Sequence, residues 1–190
     1  FPEPALYPAT PVQRVVAYLL ELFADEFLVL PAMHYRWSFP EGARKARGDF
    51  AASNGDPEAA GKFASRMHGS IRALGVVPES HAAIEAHTAD LLAALSLHFA
   101  AHPALLGARM SLADCALMGP LYAHLYLDLV PGLLLRENAP RVCHWIERMN
   151  HPDPTAPGEL LADDALAPTL RPVPELIGRD RKASGARHPH

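Results

Sequence analysis

The sequence predicts an all-α fold, a helical bundle of about six to eight helices. Three observations support this prediction. Apolar residues recur at helical spacing over long stretches, start signals for helices precede several of these stretches, and no run alternates apolar and polar residues for long enough to form a strand. A chain of 190 residues is long enough to form one substantial hydrophobic core.

The composition is that of a globular protein and excludes two classes of partner. Hydrophobic residues make up 49% of the chain, and 17 basic against 21 acidic residues give a net charge of −4. Because there is no long basic run, we expect no nucleic-acid partner. We expect no membrane span either, because no apolar stretch reaches roughly 20 uninterrupted residues.

The first helix is predicted to begin at Pro11. Residues 1–10 contain three prolines and predict an extended connector. The chain starts without Met and without a signal-peptide pattern, so we interpret it as a processed chain or a piece of a longer one. Thr10 is a suitable N-cap and proline is favoured at the first helical position. Pro31 predicts a kink or short break in this helix.

The apolar stripe of the first helix is predicted from its period, with Gln13 on the opposite side. The stripe comprises Val12, Val16, Leu19, Phe23, Phe27 and Leu30. Continued on the same helical wheel, His34 and Trp37 stay on the stripe, whereas Tyr35 and Arg36 leave it.

The segment after this helix predicts less regular structure. Residues 38–56 mix proline and glycine with a basic group, and we expect a loop and a short helix there. The basic group is interpreted as a solvated face, with an anion contact as the alternative; it comprises Arg44, Lys45 and Arg47. Asp56 is a plausible cap for a further helix. After a break at residues 75–79, a long helix is predicted from Ser80 to Ala101.

Ser111 and Asp114 predict a capping box that opens a central helix. The Ser111 hydroxyl can accept from the Asp114 N–H, and the Asp114 carboxylate can accept from the Ser111 N–H. Met110 and Cys115 have the spacing of a hydrophobic staple. Further along, Pro120 predicts a bend, because it leaves a carbonyl of the preceding turn without a donor.

The remaining elements are predicted from breakers and caps. Pro131 and Gly132 predict the end of the central helix, and Asn138 leads into a helix that contains Trp145. We expect a helix over residues 159–166, a short one near residues 174–179, and disorder over residues 183–190.

Several of these segments together resemble the C-terminal helical domain of glutathione transferases. The resemblance rests on the small-residue loop 106–108, the capping box, the apolar run 115–127 and the segment 138–149. In that family a capping box opens the central buried helix, and a helix with a proline, an aromatic residue and a methionine follows it. The resemblance implies a bundle of this type over residues 11–182, with residues 1–10 connecting it to a thioredoxin-like half that is absent here.

The resemblance also implies a function. Glutathione transferases activate the glutathione thiol with residues of the thioredoxin-like half. We therefore expect no catalytic residue in this chain, glutathione only as a co-substrate of the parent protein, and no activity of the isolated domain. Its implied partners are the thioredoxin-like N-terminal domain and a second subunit of a homodimer, to whose interface the helical domain contributes. Whether the parent is an enzyme stays open, because the same fold can serve as a protein-interaction or ligand-binding module. An exposed apolar patch along the first helix and the adjoining helix would indicate such a module.

In the family the helical half supplies one wall of the cleft for the electrophilic substrate. Carried over by position, the implied substrate-binding residues are Met33, His34, Tyr35, Arg36, Trp37, Met118 and Tyr122. Their side chains suit an anionic or aromatic ligand. In the alternative interpretation, His34 and Trp37 complete the core stripe, while Tyr35 and Arg36 make hydrogen bonds at the end of the helix.

Other chemistry is not expected from the sequence. His98 and His102 have the spacing of two ligands on one helical face, but no carboxylate lies between them, so we expect no metal site. We expect His98 on a solvated face together with His81 and His87. The two cysteines are interpreted as inert buried thiols in a reducing, cytoplasmic compartment. There is no Ser-His-Asp order, phosphate-binding glycine loop or Cys-x-x-Cys.

Overall fold

The computed structural model describes residues 6–153 and 158–176, and this part of the chain is all α-helical, as predicted. Isolated bridges join Gly107 to Ala104 and to Leu160. The elements are α1 Pro11–Glu26, α2 Val29–Trp37, α3 Pro40–Asn54, α4 Pro57–Ser70, α5 Pro78–His98, α6 Leu112–Met118, a π-helix Gly119–Tyr126, α7 Leu129–Asn138, α8 Pro140–Asn150 and a 3₁₀ turn Pro168–Leu170. The first half of the predicted connector, the end of the last predicted helix and the predicted tail 183–190 lie outside the described residues.

The predicted break after the first helix is confirmed. Helix α1 ends at Glu26 and α2 begins at Val29. Between them the Leu28 N–H donates to the Phe23 carbonyl at 3.3 Å, five residues back, so the chain widens locally. Pro31 lies in the first turn of α2, where the helix needs no N–H donor.

The buried face of α1 differs from the predicted stripe. The buried residues are Gln13, Val16, Ala17, Leu20, Phe23 and Ala24. Val12 and Leu19 are instead 48% and 40% exposed. Gln13 lies inside because its Nε2 donates to the carbonyl oxygens of Leu161 at 2.8 Å and Ala165 at 3.0 Å. Those partners are distant in the chain, so helical periodicity alone placed Gln13 on the wrong side.

The cap of α1 also comes from a distant segment. The Thr10 side chain makes no capping hydrogen bond. The Asp164 carboxylate accepts instead from the N–H groups of Val12 at 2.8 Å and Gln13 at 2.9 Å. Asp163 and Asp164 both have φ of 56°, and the helix predicted over residues 159–166 is therefore wrong. This turn satisfies two of the free donors at the start of α1.

Residues 38–56 form one long helix, α3, rather than the predicted loop and short helix. The glycines that suggested a loop are accommodated in the helix. A Cβ at Gly42 would lie 2.6 Å from the Tyr35 carbonyl oxygen, so glycine is what lets α3 approach α2 so closely. The solvated-face interpretation of the basic group is confirmed, since Arg44 and Arg47 are exposed and Lys45 pairs with a carboxylate of its own helix.

Helices α4 and α5 begin after clear caps. Asp56 caps α4, as predicted, by accepting from the N–H groups of Glu58 at 2.9 Å and Ala59 at 3.1 Å. Helix α5 begins at Pro78, two residues before the predicted start, with the Ser80 hydroxyl accepting from the Val77 N–H at 3.1 Å. It ends at His98 instead of Ala101.

The central helix begins with the predicted capping box and then changes its geometry. After Met118 it continues as a π-helix that contains Pro120, and the Leu127 N–H donates to the Tyr122 carbonyl at 3.1 Å. The bend predicted at Pro120 therefore takes the form of a wider helical turn. Pro131 and Gly132 do not end this unit, because they lie inside α7; Pro131 occupies its first turn, where proline is tolerated. Helix α8 confirms the predicted helix of Trp145.

The interior consists of two hydrophobic clusters. The main core packs α1 against α5, α6, the π-helix and α8. The second core lies between α2, α3, α4 and the first half of α5; its buried members are Met33, Trp37, Ala43, Ala46, Ala64, Val76 and Ile84. Helix α2 thus lies between the two cores. Among the described helices, none combines the length and the apolar character needed to cross a membrane.

Candidate functional site

The five predicted site residues of α2, residues 33–37, lie in different parts of the interior and surface. Tyr35, 3% exposed, belongs to the main core, whereas Met33 and Trp37 belong to the second core. His34 is 1% exposed. His34 and Trp37 are thus buried, as the core interpretation expects. The expectation that Tyr35 leaves the buried side is wrong, because α2 is covered on two sides.

Arg36 connects α2 to the end of the π-helix. Its Nε donates to Asp128 Oδ2 at 2.7 Å, and its side chain is 17% exposed. Its Nη2 lies 3.2 Å from His124 Nδ1. Burial, and secondly the Arg36 charge, lower the pKa of His124. Arg36 therefore makes tertiary contacts rather than hydrogen bonds at the end of its own helix.

Met118 and Tyr122 lie on the continuous segment formed by α6 and the π-helix. Met118 is the last residue of α6 and Tyr122 lies on the π-helix, which packs against α2. Both side chains are partly buried against the main core, and the Tyr122 ring centroid lies 6.2 Å from that of Tyr126. A substrate-binding role for these residues stays a prediction.

A hydrogen-bonded polar cluster lies where α2 faces α5. His34 Nε2 is 2.9 Å from Glu85 Oε1, and His34 Nδ1 is 3.1 Å from Ser38 Oγ. Ser38 Oγ is also 3.3 Å from His81 Nε2. Burial lowers the pKa of His34, against the opposing effect of Glu85. Sequence reasoning missed this cluster, although His34 and Ser38, like His81 and Glu85, have the i, i+4 spacing of neighbours on a helix face.

Tyr35 adds a buried hydroxyl close to this cluster. Burial, and secondly the negative charge of Glu85, raise the pKa of Tyr35 to about 12. A hydrogen bond with Thr88 opposes this shift. The Tyr35 hydroxyl therefore stays protonated at neutral pH.

A cavity of about 380 Å³ opens beside the polar cluster. It is lined by Trp37, Ser38, His68, Ile71, Arg72, Val76, Val77, Pro78 and His81. The indole Nε1 of Trp37 is buried without a hydrogen-bond partner. The lining residues therefore combine an apolar wall with an arginine, two histidines, a serine and a tryptophan, and none of those within the described part of the chain is acidic.

Asp114 is fully buried and connects three segments of the chain. Its carboxylate accepts four hydrogen bonds, from Leu105 N at 2.9 Å, Ser111 N at 3.0 Å, Ser111 Oγ at 2.9 Å and Trp145 Nε1 at 3.2 Å. Burial raises the pKa of Asp114, and the four hydrogen bonds oppose that shift. The structure shows the capping pair of Ser111 and Asp114, with the Ser111 hydroxyl donating to the carboxylate, and it adds Leu105 and Trp145 as further donors.

The cysteines lie in different environments. Cys143 is buried, as predicted, whereas Cys115 is exposed, so the prediction of two buried thiols is wrong for Cys115. Desolvation, and secondly the charge of Asp114, raise the pKa of Cys115. Burial likewise raises the pKa of Cys143. Both groups are therefore thiols at neutral pH, which is the less reactive form.

His98 is buried rather than solvated. Its Nε2 is 3.1 Å from the Ala104 carbonyl oxygen and its Nδ1 is 3.0 Å from the Thr169 hydroxyl. Both ring nitrogens are therefore engaged, and the stacked ring of His102 has its centroid at 5.0 Å. Within residues 6–153 and 158–176 no three His, Cys, Asp or Glu side chains are grouped so that they could hold a metal ion.

The comparison with protein families gave a match over the part of the chain that contains Asp114 and Trp145. Residues 78–153 match the family model of the glutathione S-transferase, C-terminal domain. This part of the chain is a glutathione S-transferase C-terminal domain. The match runs from the start of α5 to just beyond α8, and the fold is an all-α bundle of this type. Searches of curated proteins and of solved structures gave no match.

Three buried or half-buried histidines predict how the stability of the chain depends on pH. Burial lowers the pKa of His34, His98 and His124 from 6.5. The unfolded chain therefore binds more protons than the folded chain below pH 6.5, and the free energy of unfolding should fall as the pH falls through this range. We expect a lower urea midpoint at about pH 6 than at about pH 7.5.

A pair of variants tests this origin of the pH dependence. His124→Gln removes one of the three histidines whose pKa is lowered, and it should make the free energy of unfolding less dependent on pH. His144→Gln removes an exposed histidine and should leave it unchanged. An unfolding midpoint that stays constant between the two pH values contradicts the prediction.

Proposed function

We propose that this chain is the helical half of a glutathione transferase-like enzyme and that a thioredoxin-like half, which carries the glutathione site, docks on α1. The observation that carries the proposal is the solvent face of α1. Five large apolar side chains on it are 40 to 57% exposed: Val12, Val15, Tyr18, Leu19 and Leu22. Leu6 and Tyr7, just before the helix, are exposed as well.

The pattern on α1 supports burial on two sides. The exposed apolar residues recur every three or four positions, and the residues between them include those buried in the main core. A contiguous exposed apolar face typically marks an interaction site. The Leu6 carbonyl accepts from the Leu112 N–H at 2.9 Å, which holds the segment before α1 against the start of α6.

The substrate wall that we propose keeps the seven predicted positions and divides their roles by burial. Arg36, Met118 and Tyr122 are partly exposed and would face the electrophile. The buried residues would hold α2 in place behind them; these are Met33, His34, Tyr35 and Trp37. The Arg36 guanidinium, which is paired with Asp128, has further N–H donors that suit an electrophile with acceptor oxygens.

The thiol chemistry of the proposed enzyme resides outside this chain. Glutathione is the co-substrate of the whole protein, its activation is assigned to the thioredoxin-like half, and the isolated chain is inactive with glutathione. A cytoplasmic location and a homodimer belong to the same proposal.

The experiment that tests the proposal uses the protein purified from its own source. Intact mass and an N-terminal peptide map establish which segments accompany this chain, and an aryl halide with glutathione measures conjugation. We expect glutathione-dependent turnover by the natural protein and none by the 190-residue chain. Turnover by that chain alone, or a natural protein with a thioredoxin-like half and no turnover, would overturn the proposal.

The same apolar face also favours a second candidate function, a non-catalytic interaction module. The two candidates differ in the effect of a charge on α1 in the natural protein. For the enzyme, Leu22→Glu should lower glutathione-dependent turnover, whereas Leu97→Glu, on an exposed position of α5, should not. For the module, the natural protein has no turnover and Leu22→Glu releases a bound protein instead.

A further inference from the structure

Ser38 lies at the end of α2, on the wall of the 380 Å³ cavity, with its hydroxyl between two imidazoles. His34 Nδ1 is 3.1 Å from Ser38 Oγ and His81 Nε2 is 3.3 Å from it. On the far side of His34, its Nε2 is 2.9 Å from Glu85 Oε1. All four side chains belong to this chain, and chemistry that they perform without glutathione goes beyond the proposed transferase function, in which His34 only helps to hold α2 in place.

The hydrogen-bond inventory determines where the protons lie. The Glu85 carboxylate only accepts, so His34 Nε2 carries a proton and donates it. Burial lowers the pKa of His34, so the ring is neutral at pH 7 and its Nδ1 has a free lone pair. The Ser38 hydroxyl therefore donates to His34 Nδ1. A lone pair of Ser38 Oγ remains to accept from His81 Nε2.

This arrangement has the roles of a nucleophile, a base and a group that orients the base. In serine hydrolases such a triad is recognised by geometry and not by the order of its residues in the chain. Here Ser38 and His34 are one turn apart on α2, and Glu85 reaches them from α5. We propose that Ser38 is the nucleophile of an ester-hydrolysing site, with His34 as general base and Glu85 as a positioning residue.

The proposed reaction needs only the ester and water as reactants. Ser38 Oγ forms a bond to the ester carbonyl carbon as its proton passes to His34 Nδ1. The bond between that carbon and the alcohol oxygen breaks, and His34 returns the proton to the leaving alcohol. Water then attacks the acyl-serine by the same route, which releases the carboxylic acid and restores Ser38.

The cavity indicates the class of ester. Its apolar wall consists of Ile71, Val76, Val77 and Pro78. Arg72 also lines the cavity, and its guanidinium is the donor that we assign to a developing oxyanion. A volume of about 380 Å³ accommodates a small ester with an apolar acyl group.

The first test is covalent labelling of the purified chain with a fluorophosphonate, which reacts with activated serines. We expect one label per chain, found on Ser38 by peptide mapping. The same chain should hydrolyse p-nitrophenyl butyrate in the absence of glutathione, so this test is independent of the proposed transferase. Absence of a label on Ser38 in the unmodified chain overturns the proposal, whatever the variants do.

Matched variants then separate the triad from background hydrolysis by exposed imidazoles. Ser38→Ala should abolish labelling and lower kcat/KM for the ester about 100-fold. Ser53→Ala is the control, because Ser53 is exposed on α3 and only donates to the Asp49 carbonyl. Equal rates for Ser38→Ala and Ser53→Ala overturn the proposal.

The role of Glu85 is tested by Glu85→Gln, a change at a side chain that is 46% exposed. We expect kcat to fall about 10-fold or more with KM unchanged. The titratable groups that face His34 are Glu85, His81 and Tyr35. Because Glu85 raises the pKa of His34, its loss should also move the acid limb of the pH profile to lower pH. An unchanged kcat and pH profile contradict the positioning role.

Discussion

Asp114→Ala is expected to lower the free energy of unfolding by roughly 3–5 kcal/mol, because it leaves several buried donors without an acceptor. The carboxylate is fully buried and accepts from the N–H groups of Leu105 and Ser111, the Ser111 hydroxyl and the Trp145 indole. Each of these donors loses its partner at once when the carboxylate is removed. Urea unfolding monitored by circular dichroism measures the effect.

Two further variants show which part of the Asp114 network carries this energy. Ser111→Ala removes one donor and the cap, and should cost only about 1 kcal/mol. Asp114→Asn keeps one acceptor oxygen but turns an amide toward the remaining donors, so its cost should lie between those of the other two variants. If Asp114→Ala cost no more than Ser111→Ala, the contacts with Leu105 and Trp145 would carry no stability.

Gly107→Ala is expected to lower the free energy of unfolding by roughly 2–4 kcal/mol. Gly107 has φ of 141°, and a Cβ there would lie 2.7 Å from the Glu159 carbonyl oxygen and 2.9 Å from the Leu161 nitrogen. The same two segments are joined by hydrogen bonds from Ala108 N to Glu159 O and from Leu161 N to Leu106 O, at 2.8 and 2.9 Å. The methyl group would therefore force the segments apart.

A second glycine provides the matched control. Gly61 lies on α4 with nothing within 4 Å of a Cβ, so Gly61→Ala should stabilise the chain by about 0.5–1 kcal/mol through helix propensity alone. Thermal unfolding of both variants measures the difference. A Gly107→Ala protein as stable as the Gly61→Ala protein would show that the loop and the segment after α8 move apart without cost.

Local signals predicted the elements that depend on short-range hydrogen bonds and backbone constraints. The capping box at Ser111, the cap at Asp56 and the break before Pro31 each involve residues within a few positions of one another. These interactions are complete within one or two helical turns, so they can be predicted before any packing is known. The resemblance to the C-terminal domain of glutathione transferases, which rests on residues within 106–127 and 138–149, is confirmed by the family match over residues 78–153.

Predictions from a single amphipathic stripe were less accurate, because two cores cover this bundle. The buried face of α1 differs from the predicted stripe. Tyr35, which was predicted to leave that stripe, is buried. A helical wheel with one stripe assumes one apolar side, whereas α1 has an exposed apolar face opposite the core, and α2 lies between two clusters. The glycine content of residues 38–56 likewise suggested a loop, whereas Gly42 lets α3 pack closely against α2.

The sequence by itself predicted an all-α bundle of the glutathione transferase C-terminal type, which the family match over residues 78–153 supports, and it paired Ser111 with Asp114. The tertiary structure alone decided which polar groups meet. It brought Glu85 to His34 across 51 positions and Trp145 to Asp114 across 31. Helical period and capping depend on neighbours along the chain, whereas these contacts depend on how helices pack, and packing is a property of the whole core.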